Sequence, residues 1–515
     1  MDRTFTRPWI LIYLLLAMAC WGARPLWEPD EGRYAETARE LLFPVNVADL
    51  TTGTLTAGVA QWRIDLGDGP SAKVPWGLLQ LDDQRDWLVP RLQGKPHLTK
   101  PPLTYWLSAA GMALLGVNEW GARLFLGLAF FATILATVAL ARNWGWSLTE
   151  ARAAGLIYGS AVVPFAAGHV LTTDTFLACW ETLGVLACWQ AWRGGPRAAW
   201  WRWGFWLAFG LAFLTKGPPG WLPLLVMLIF RLVRRKTWGL PGRVWSWGGL
   251  LLMLLVGLSW FVAVCQRQPA LYQYFLGYEL VERIASTTHK RNSPFWMYLP
   301  VLLAGLFPWI ALWPTLLRTA WRRVLAWRGW GDLEWFTALW LAVPFMVFTL
   351  SQSRMVFYVL PLFVPLALWA GRAWVAWCGG EIWPVRPVPR RWATIGAVAW
   401  GLGLLVFVNY PAGAPPSRTQ KVLARELMRN DPAGHYQIFT EDDSGNSLSF
   451  YTGRRLVWLD RSFPSQLNLV RKETLVGRPA ALEIGRRRME KKLPADYKYK
   501  ILAESKRDVI IAPLP

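Results

Sequence analysis

Long apolar runs separated by short polar connections set the pattern of this chain. Runs of spanning length lie near 8–25, 121–142, 151–168, 174–192, 203–216, 218–232, 245–265, 296–317, 333–350, 356–377 and 392–409. A helix needs about 20 apolar residues to cross a hydrocarbon core, so these runs predict a membrane-spanning all-α domain of about eleven helices over residues 1–410. The runs 203–216 and 218–232 are divided by Thr215-Lys216-Gly217-Pro218-Pro219-Gly220, where proline interrupts the helix, and they read as a tight hairpin. The run 103–118 is shorter and reads as a helix lying in the membrane interface. Asp2-Arg3-Thr4-Phe5-Thr6-Arg7 before the first run resembles the start of a signal peptide, but about ten further spans make it a retained anchor. After residue 410 the pattern changes in kind. Short apolar runs at 436–439 and 508–512, with helix-like stretches near 419–429 and 482–493, predict a small α/β domain over 411–515.

Charge orients these helices. Of 515 residues 54% are hydrophobic and 17% charged, with a formal charge of +22. Lys and Arg come in small clusters between apolar runs, without a basic tail or a nucleic-acid motif, so membrane topology accounts for the charge better than a nucleic-acid partner. The clusters at 142–152, 193–202, 231–243, 318–329 and 386–391 all fall in the cytoplasm if the N-terminus is inside and the spans number eleven. The loop 26–120, residues 169–173, the 216–219 break, 266–295, 351–355 and everything after 410 then face outward. Cys20, Cys179, Cys188, Cys265 and Cys378 lie in or beside apolar runs without metal-ligand spacing, which argues against disulfides and cysteine-bound zinc.

The outward segments hold the unusual chemistry. Trp27-Glu28-Pro29-Asp30-Glu31-Gly32-Arg33-Tyr34-Ala35-Glu36 follows the first span, and Pro29 suits the first turn of a helix reaching about Leu42. Asp30 and Glu31 would stand at the positive end of its dipole, with Arg33 and Tyr34 three and four residues after Asp30 on one face. Taken alone, the stretch fits an amphipathic surface helix equally well. Lys100 precedes two prolines at the entrance of an apolar helix, where a snorkelling lysine is the plainer alternative. Asp174 stands at the outer end of a span, Glu181 two turns deeper on the same face, and Lys216 at its helix break. His289 lies in the 266–295 loop, and Arg354 and Tyr358 are one helical turn apart at an outer surface. Such a set of acids, cations, one histidine and one tyrosine suits a site that grips a lipid phosphate and takes a proton from an acceptor hydroxyl.

Pro29-Asp30-Glu31-Gly32-Arg33-Tyr34-Ala35-Glu36, then Lys100-Pro101-Pro102-Leu103, then Arg354 through Tyr358 with Pro361, resemble the polyprenyl-phosphate-dependent membrane glycosyltransferases. Within these the likeness is to the aminoarabinose (undecaprenyl-phosphate) lipid A transferases and the related protein mannosyltransferases; Phe450-Tyr451-Thr452-Gly453-Arg454 also fits. The resemblance implies a GT-C fold and an inverting transfer from an undecaprenyl-phosphate sugar to lipid A or another envelope acceptor. It places the chain in the bacterial inner membrane, N-terminus cytoplasmic and C-terminal domain periplasmic. It assigns Asp30 as general base with Glu31 its neighbour in the catalytic pair. Arg33, Tyr34, Lys100, Asp174, Lys216, His289, Arg354 and Tyr358 become the groups that hold the donor phosphate and sugar. It implies no cofactor beyond, at most, a divalent ion held loosely at Glu31 and His289, because Thr99 stands where some relatives carry a potential metal ligand. An extra stretch near 46–80, rich in Gly, Asp and Thr, departs from the pattern. A protein side chain as acceptor remains an alternative, as do a lipid or sugar transporter and an assembly protein with a docking domain. Transporters put their charges near the midplane, whereas here all but Glu181 lie at the outer ends.

Overall fold

Helix starts in this chain carry their own caps. Asn118 accepts the backbone N–H of Gly121 at 2.9 Å and opens the longest helix, Glu119–Asn143 (α4). Ser147 and Glu150 form a reciprocal capping box at the start of Leu148–Ser160 (α5). These helices belong to a computed structural model that describes residues 6–43, 86–234, 244–277, 293–314, 317–318, 329–382, 390–409, 419–440, 445–454, 456–458, 479–494, 497–505 and 508–514. The 46–80 stretch and His289 lie outside the described residues.

Before α4 come Arg7–Met18 (α1), Asp30–Leu42 (α2), a two-strand ribbon of Arg91–Leu92 (β1) and Lys95–Pro96 (β2), and Leu103–Leu115 (α3). After α5 come Val162–His169 (α6), Thr173–Arg193 (α7), Ala198–Lys216 (α8), a 3-10 turn at Pro218–Trp221, Leu222–Val233 (α9) and Trp247–Arg267 (α10). Tyr298–Gly305 (α11), Asp332–Leu350 (α12), a 3-10 turn at Val356–Leu362, Phe363–Trp377 (α13) and Arg390–Asn409 (α14) complete the helical part.

Several expected spans are interrupted. The run 8–25 is helical only to Met18, and residues 19–24 turn so that Arg24 enters the interior. The run 151–168 breaks at Ala161 because Pro164 has no N–H to continue the ladder of α5, and α6 then meets α7 at 114°. Pro308 interrupts 296–317 and Pro361 keeps the start of 356–377 in a 3-10 turn. Among the described residues, four helices can cross a membrane by length and apolarity, or five if α6 and α7 are one bent span; α1, α3, Pro218–Val233, Phe295–Gly305 and Thr394–Asn409 are shorter apolar helices. Only 33% of the apolar window of α10 and 28% of that of α12 are buried by protein, which leaves their remaining apolar surface for lipid. The chain is a multi-pass membrane protein. The run expected to lie in the interface is α3, packed between α2 and α4 through Tyr105, Ala109 and Met112. A Cβ at Gly111 would stand 2.2 Å from the Gly121 carbonyl oxygen, so glycine permits the close approach of α3 and α4.

The C-terminal region forms the expected small sheet. Its elements are Lys421–Asn430 (α15), Gln437–Thr440 (β3), Asn446–Thr452 (α16), Leu456–Trp458 (β4), Ala480–Gly485 (β5), Arg486–Lys492 (α17), Tyr499–Glu504 (β6) and Asp508–Pro513 (β7). Strand order is β4-β3-β5-β7-β6, parallel across β4, β3 and β5 and antiparallel on both sides of β7. The stretch 482–493, which read as helix, is strand to Gly485 and helix only from Arg486, since Ala481, Leu482 and Ile484 fill the sheet core.

Candidate active site

The first turn of α2 divides two consecutive carboxylates. Glu31 points inward and is 1% exposed. Arg24 Nη1 donates to it at 2.6 Å, Arg123 Nε and Nη2 at 2.9 and 3.0 Å, and the N–H groups of Trp27 and Leu171 at 2.9 and 2.8 Å. Burial alone would raise its pKa, but Arg123 and Arg24 outweigh burial and hold it down to about 2. The two arginines also donate to the carbonyls of Arg24, Pro25 and His169, so one carboxylate welds residues 24–27, α4 and the turn between α6 and α7. Asp30 faces the other way, ion-paired with Arg33, and its side chain keeps 35% exposure. Gly32 follows them, and a Cβ there would lie 2.5 Å from Glu28 Oε1.

A second acid–cation pair joins two long helices. Asp174, in the first turn of α7 behind its cap Thr172, pairs with Lys216, the last residue of α8. Gly217, at φ 76°, ends α8 in a conformation that favours glycine and lets the Lys216 ammonium turn over the Tyr358 ring, 4.0 Å from its centroid. Lys216, Tyr358 and Lys100 line one cavity of about 460 Å³, with Thr99, Ser351 and Ser353 as further polar groups. The rest of its wall is apolar, including Phe213, Phe261, Phe275 and Phe348.

His97 and Tyr34 connect the two pairs. His97 accepts or donates a 3.0 Å hydrogen bond with Thr99 and packs edge-on against Tyr105, which stacks on Tyr34 at 5.5 Å. Burial lowers the imidazole pKa to about 3, with Arg33 and Lys100 adding to the effect. Burial likewise raises the Tyr34 phenol, helped by Tyr105, Asp30 and Asp174. The Asp30–Arg33 pair thus lies within electrostatic reach of the groups around the Lys100 end of the cavity.

Two expectations change in this geometry. Glu31 is a buried weld, and both its oxygens are engaged by nitrogen donors, so it does not suit a metal ligand. Among the described residues no group of three or more His, Cys, Asp or Glu side chains is placed to hold a metal. Arg354 directs its guanidinium to the carbonyls of Thr349, at 2.9 and 3.2 Å, and of Ser293, at 2.7 Å, and fastens the end of α12 instead of lining the cavity. Sequence reasoning passed over His97, Arg123 and the acids Glu36 and Glu40. Their signal was present: α2 carries Glu36, Arg39 and Glu40 on a helix that otherwise packs, and Arg123 interrupts an apolar run. Glu36 forks with Arg39 at 2.7 and 2.8 Å and accepts Ser449 Oγ at 2.7 Å; Glu40 accepts the N–H groups of Gln93 and Gly94.

The Phe450–Arg454 motif serves docking. Tyr451 OH accepts the Leu26 N–H at 2.7 Å and donates to Glu119 at 3.0 Å, while Lys421 pairs with the same carboxylate. Phe450 packs with Ala35 and Ala38 of α2, and Glu28 accepts the N–H of Ser447 at the start of α16.

The backbone of the chain superposes on ArnT from Cupriavidus metallidurans bound to undecaprenyl phosphate, with a TM-score of 0.73 over 99% of both chains at 22% identity. The fold is the GT-C fold. Sequence comparison agrees with it. Residues 99–262 of this GT-C chain match the family model described as dolichyl-phosphate-mannose-protein mannosyltransferase. An undecaprenyl phosphate-alpha-4-amino-4-deoxy-L-arabinose arabinosyl transferase of Pseudomonas fluorescens is 30% identical over 381 residues, covering 72% of this chain and 60% of that protein. The corresponding transferase of Pseudomonas paraeruginosa is 34% identical over 297 residues, 56% of this chain and 52% of that protein. The GT-C chain therefore spans between 52% and 60% of the length of these two relatives.

Proposed function

We propose that this chain is an inverting glycosyltransferase that moves a sugar from an undecaprenyl-phosphate donor to lipid A or another cell-envelope acceptor. The observation that supports it most is the partly exposed Asp30–Arg33 pair within electrostatic reach of His97, which Lys100 also reaches from an apolar-walled cavity carrying Lys100, Lys216 and Tyr358. The apolar wall suits a prenyl chain, and the two ammonium groups suit the phosphate that joins it to the sugar. Asp30 takes the proton of the acceptor hydroxyl, whose oxygen attacks the anomeric carbon as the bond to the phosphate oxygen breaks. Undecaprenyl phosphate leaves as an anion neutralised by Lys100 and Lys216, so no acid need protonate it. Arg33 aims Asp30, Tyr34 and Tyr358 wall the sugar, and Asp174 holds Lys216 in place. Glu31 supports the base from below without taking a proton.

The same reading puts residues 1–410 in the membrane as the transferase domain, 411–515 in the periplasm and the N-terminus in the cytoplasm of a bacterial inner membrane. Purified full-length chain, given undecaprenyl-phosphate-linked sugar and lipid A, should release undecaprenyl phosphate and yield glycosylated lipid A. Mass spectrometry of envelope lipids from a deletion strain should show the matching loss. Glycosylated peptide with unmodified lipid A would move the acceptor to a protein side chain. A reporter after residue 410 that reads as cytoplasmic would overturn the assigned faces.

A further inference from the structure

Lys100 stands four residues past the β1–β2 hairpin, whose tip is not part of the cavity wall. The two ends of the hairpin are fastened on the cavity side. Trp260 Nε1 of α10 donates to the Leu88 carbonyl at 2.7 Å, the His97 N–H donates to the Pro90 carbonyl at 2.7 Å, and Val89 and Leu98 are buried in one cluster with Trp260. The tip is fastened elsewhere. Gln93 and Gly94 turn there with φ of 55° and 74°, a left-handed pair that glycine adopts freely and a residue with a Cβ does not. Two-residue hairpin turns of this kind favour Asn, Asp and Gly, so backbone preference does not account for a glutamine at the first position. Its side chain does. Gln93 is 2% exposed, and its Oε1 accepts the Leu456 N–H at the start of β4 at 2.9 Å, with Ser449 Oγ of α16 at 3.4 Å from the same oxygen. Leu456 N–H can only donate, which fixes the orientation of the amide. From the opposite side the buried Glu40 of α2 accepts the N–H groups of Gln93 and Gly94 at 2.6 and 3.0 Å. The tip is thus held between α2 and the C-terminal sheet.

We propose that Gln93 and Glu40 are positioning residues for Lys100: docking of the C-terminal domain on the hairpin tip fixes the hairpin, and the hairpin fixes the ammonium at the donor phosphate. This rests on reading Lys100 as a ligand of that phosphate. A ribbon of two residue pairs is marginal by itself, so its tip owes its place to these bonds, and any freedom of the tip passes along the chain to Lys100. A phosphate on Lys100 restrains the same segment from its other end. Because coupling between two binding events is reciprocal, donor binding then strengthens the contact between Gln93 and the C-terminal domain, as that contact strengthens donor binding.

The test measures binding of undecaprenyl phosphate to the full chain in detergent. Gln93→Gly keeps the left-handed backbone and deletes the amide. Affinity should fall about three- to tenfold, the weight of one net hydrogen bond. Glu40→Gln turns one acceptor into a donor facing an N–H and should act in the same direction. Lys100→Ala removes the group through which Gln93 acts, so adding Gln93→Gly to it should cost nothing further, whereas a general loosening of the fold would add in full. An equal loss in both backgrounds, or no loss with Lys100 present, would overturn the inference. Hydrogen exchange of wild type does not depend on any variant folding. Undecaprenyl phosphate should slow exchange both in the peptide spanning residues 93–100 and in the one containing Leu456, and slowing at 93–100 with Leu456 unchanged would overturn the inference as well. A Lys100→Ala protein that binds undecaprenyl phosphate as tightly as wild type would instead overturn the reading of Lys100 as a phosphate ligand, and the clamp would have nothing to place.

Discussion

Asp30 and Glu31 are neighbours in sequence and opposites in environment. Asp30 has one cation from its own helix and a third of its side chain open; Glu31 has two arginines from elsewhere, two backbone donors and no open surface. One residue of helix turns the side chain by about 100°, enough to carry it from the partly open rim of the protein into its interior. Two acids in a motif therefore need not share a task. The rim leaves one carboxylate open to its surroundings, and the weld beneath holds the other in a fixed geometry.

The comparison breaks most sharply at the rim. Asp30→Asn keeps the shape and most hydrogen bonding of the side chain but cannot take up a proton. General base catalysis contributes about a hundred- to ten-thousandfold, so turnover with undecaprenyl-phosphate sugar should fall by that factor while donor binding and thermal stability stay near wild type. Near-normal turnover would move the base elsewhere and remove the contrast with Glu31.

The weld should fail in a different currency. Arg123→Met leaves Glu31 charged and half paired, and breaking a buried pair from one side costs about 3–5 kcal/mol. Unfolding in detergent should show that loss, and Glu31→Gln on top of Arg123→Met should recover part of it. The pH dependence has a fixed sign. The Glu31 pKa is lowered on folding from 4.5 to about 2, so its contribution is present above pH 4.5 and fades only as pH falls towards about 2. An Arg123→Met protein as stable as wild type would make Glu31 a bystander.

Much of this was legible in the sequence, and the limits have physical causes. The α2 helix, the Asp30–Arg33 spacing, the Lys216 break and the C-terminal sheet follow from local rules of turn, pairing and periodicity, which act within a few residues. The helix breaks at Ala161 and Pro308 were less legible because a proline in an apolar run ends a helix in some settings and only bends it in others. The weld was invisible for another reason: Arg123 lies 92 residues from Glu31, and no local pattern pairs residues that far apart. Arg354 stands just past the end of α12, but which way a long guanidinium turns depends on the carbonyls left free there. Asp174 and Lys216 were both flagged, 42 residues apart, yet only the close packing of α7 against α8 makes them a pair.

The smallest expected effect lies where the C-terminal domain meets the weld, at Tyr451. Its hydroxyl accepts from Leu26, four residues before Asp30, and donates to Glu119 on the helix that also carries Arg123. Tyr451→Phe keeps the ring in its contacts with α2 and deletes only the oxygen. The Leu26 N–H is then left without its acceptor, and Glu119 keeps Lys421 alone. Leaving a buried donor unsatisfied costs about 1–3 kcal/mol, which should appear as a lowered unfolding midpoint. Turnover should fall by less than about tenfold, since Glu31 and its two arginines still fix the first turn of α2. Lys421→Met should cost less than Tyr451→Phe, because Lys421 is 38% exposed and water can replace it on Glu119. If Tyr451→Phe instead lost as much turnover as Asp30→Asn with the fold intact, Tyr451 would belong with the rim, and the division between a reactive edge and a rigid support would run through the C-terminal domain as well.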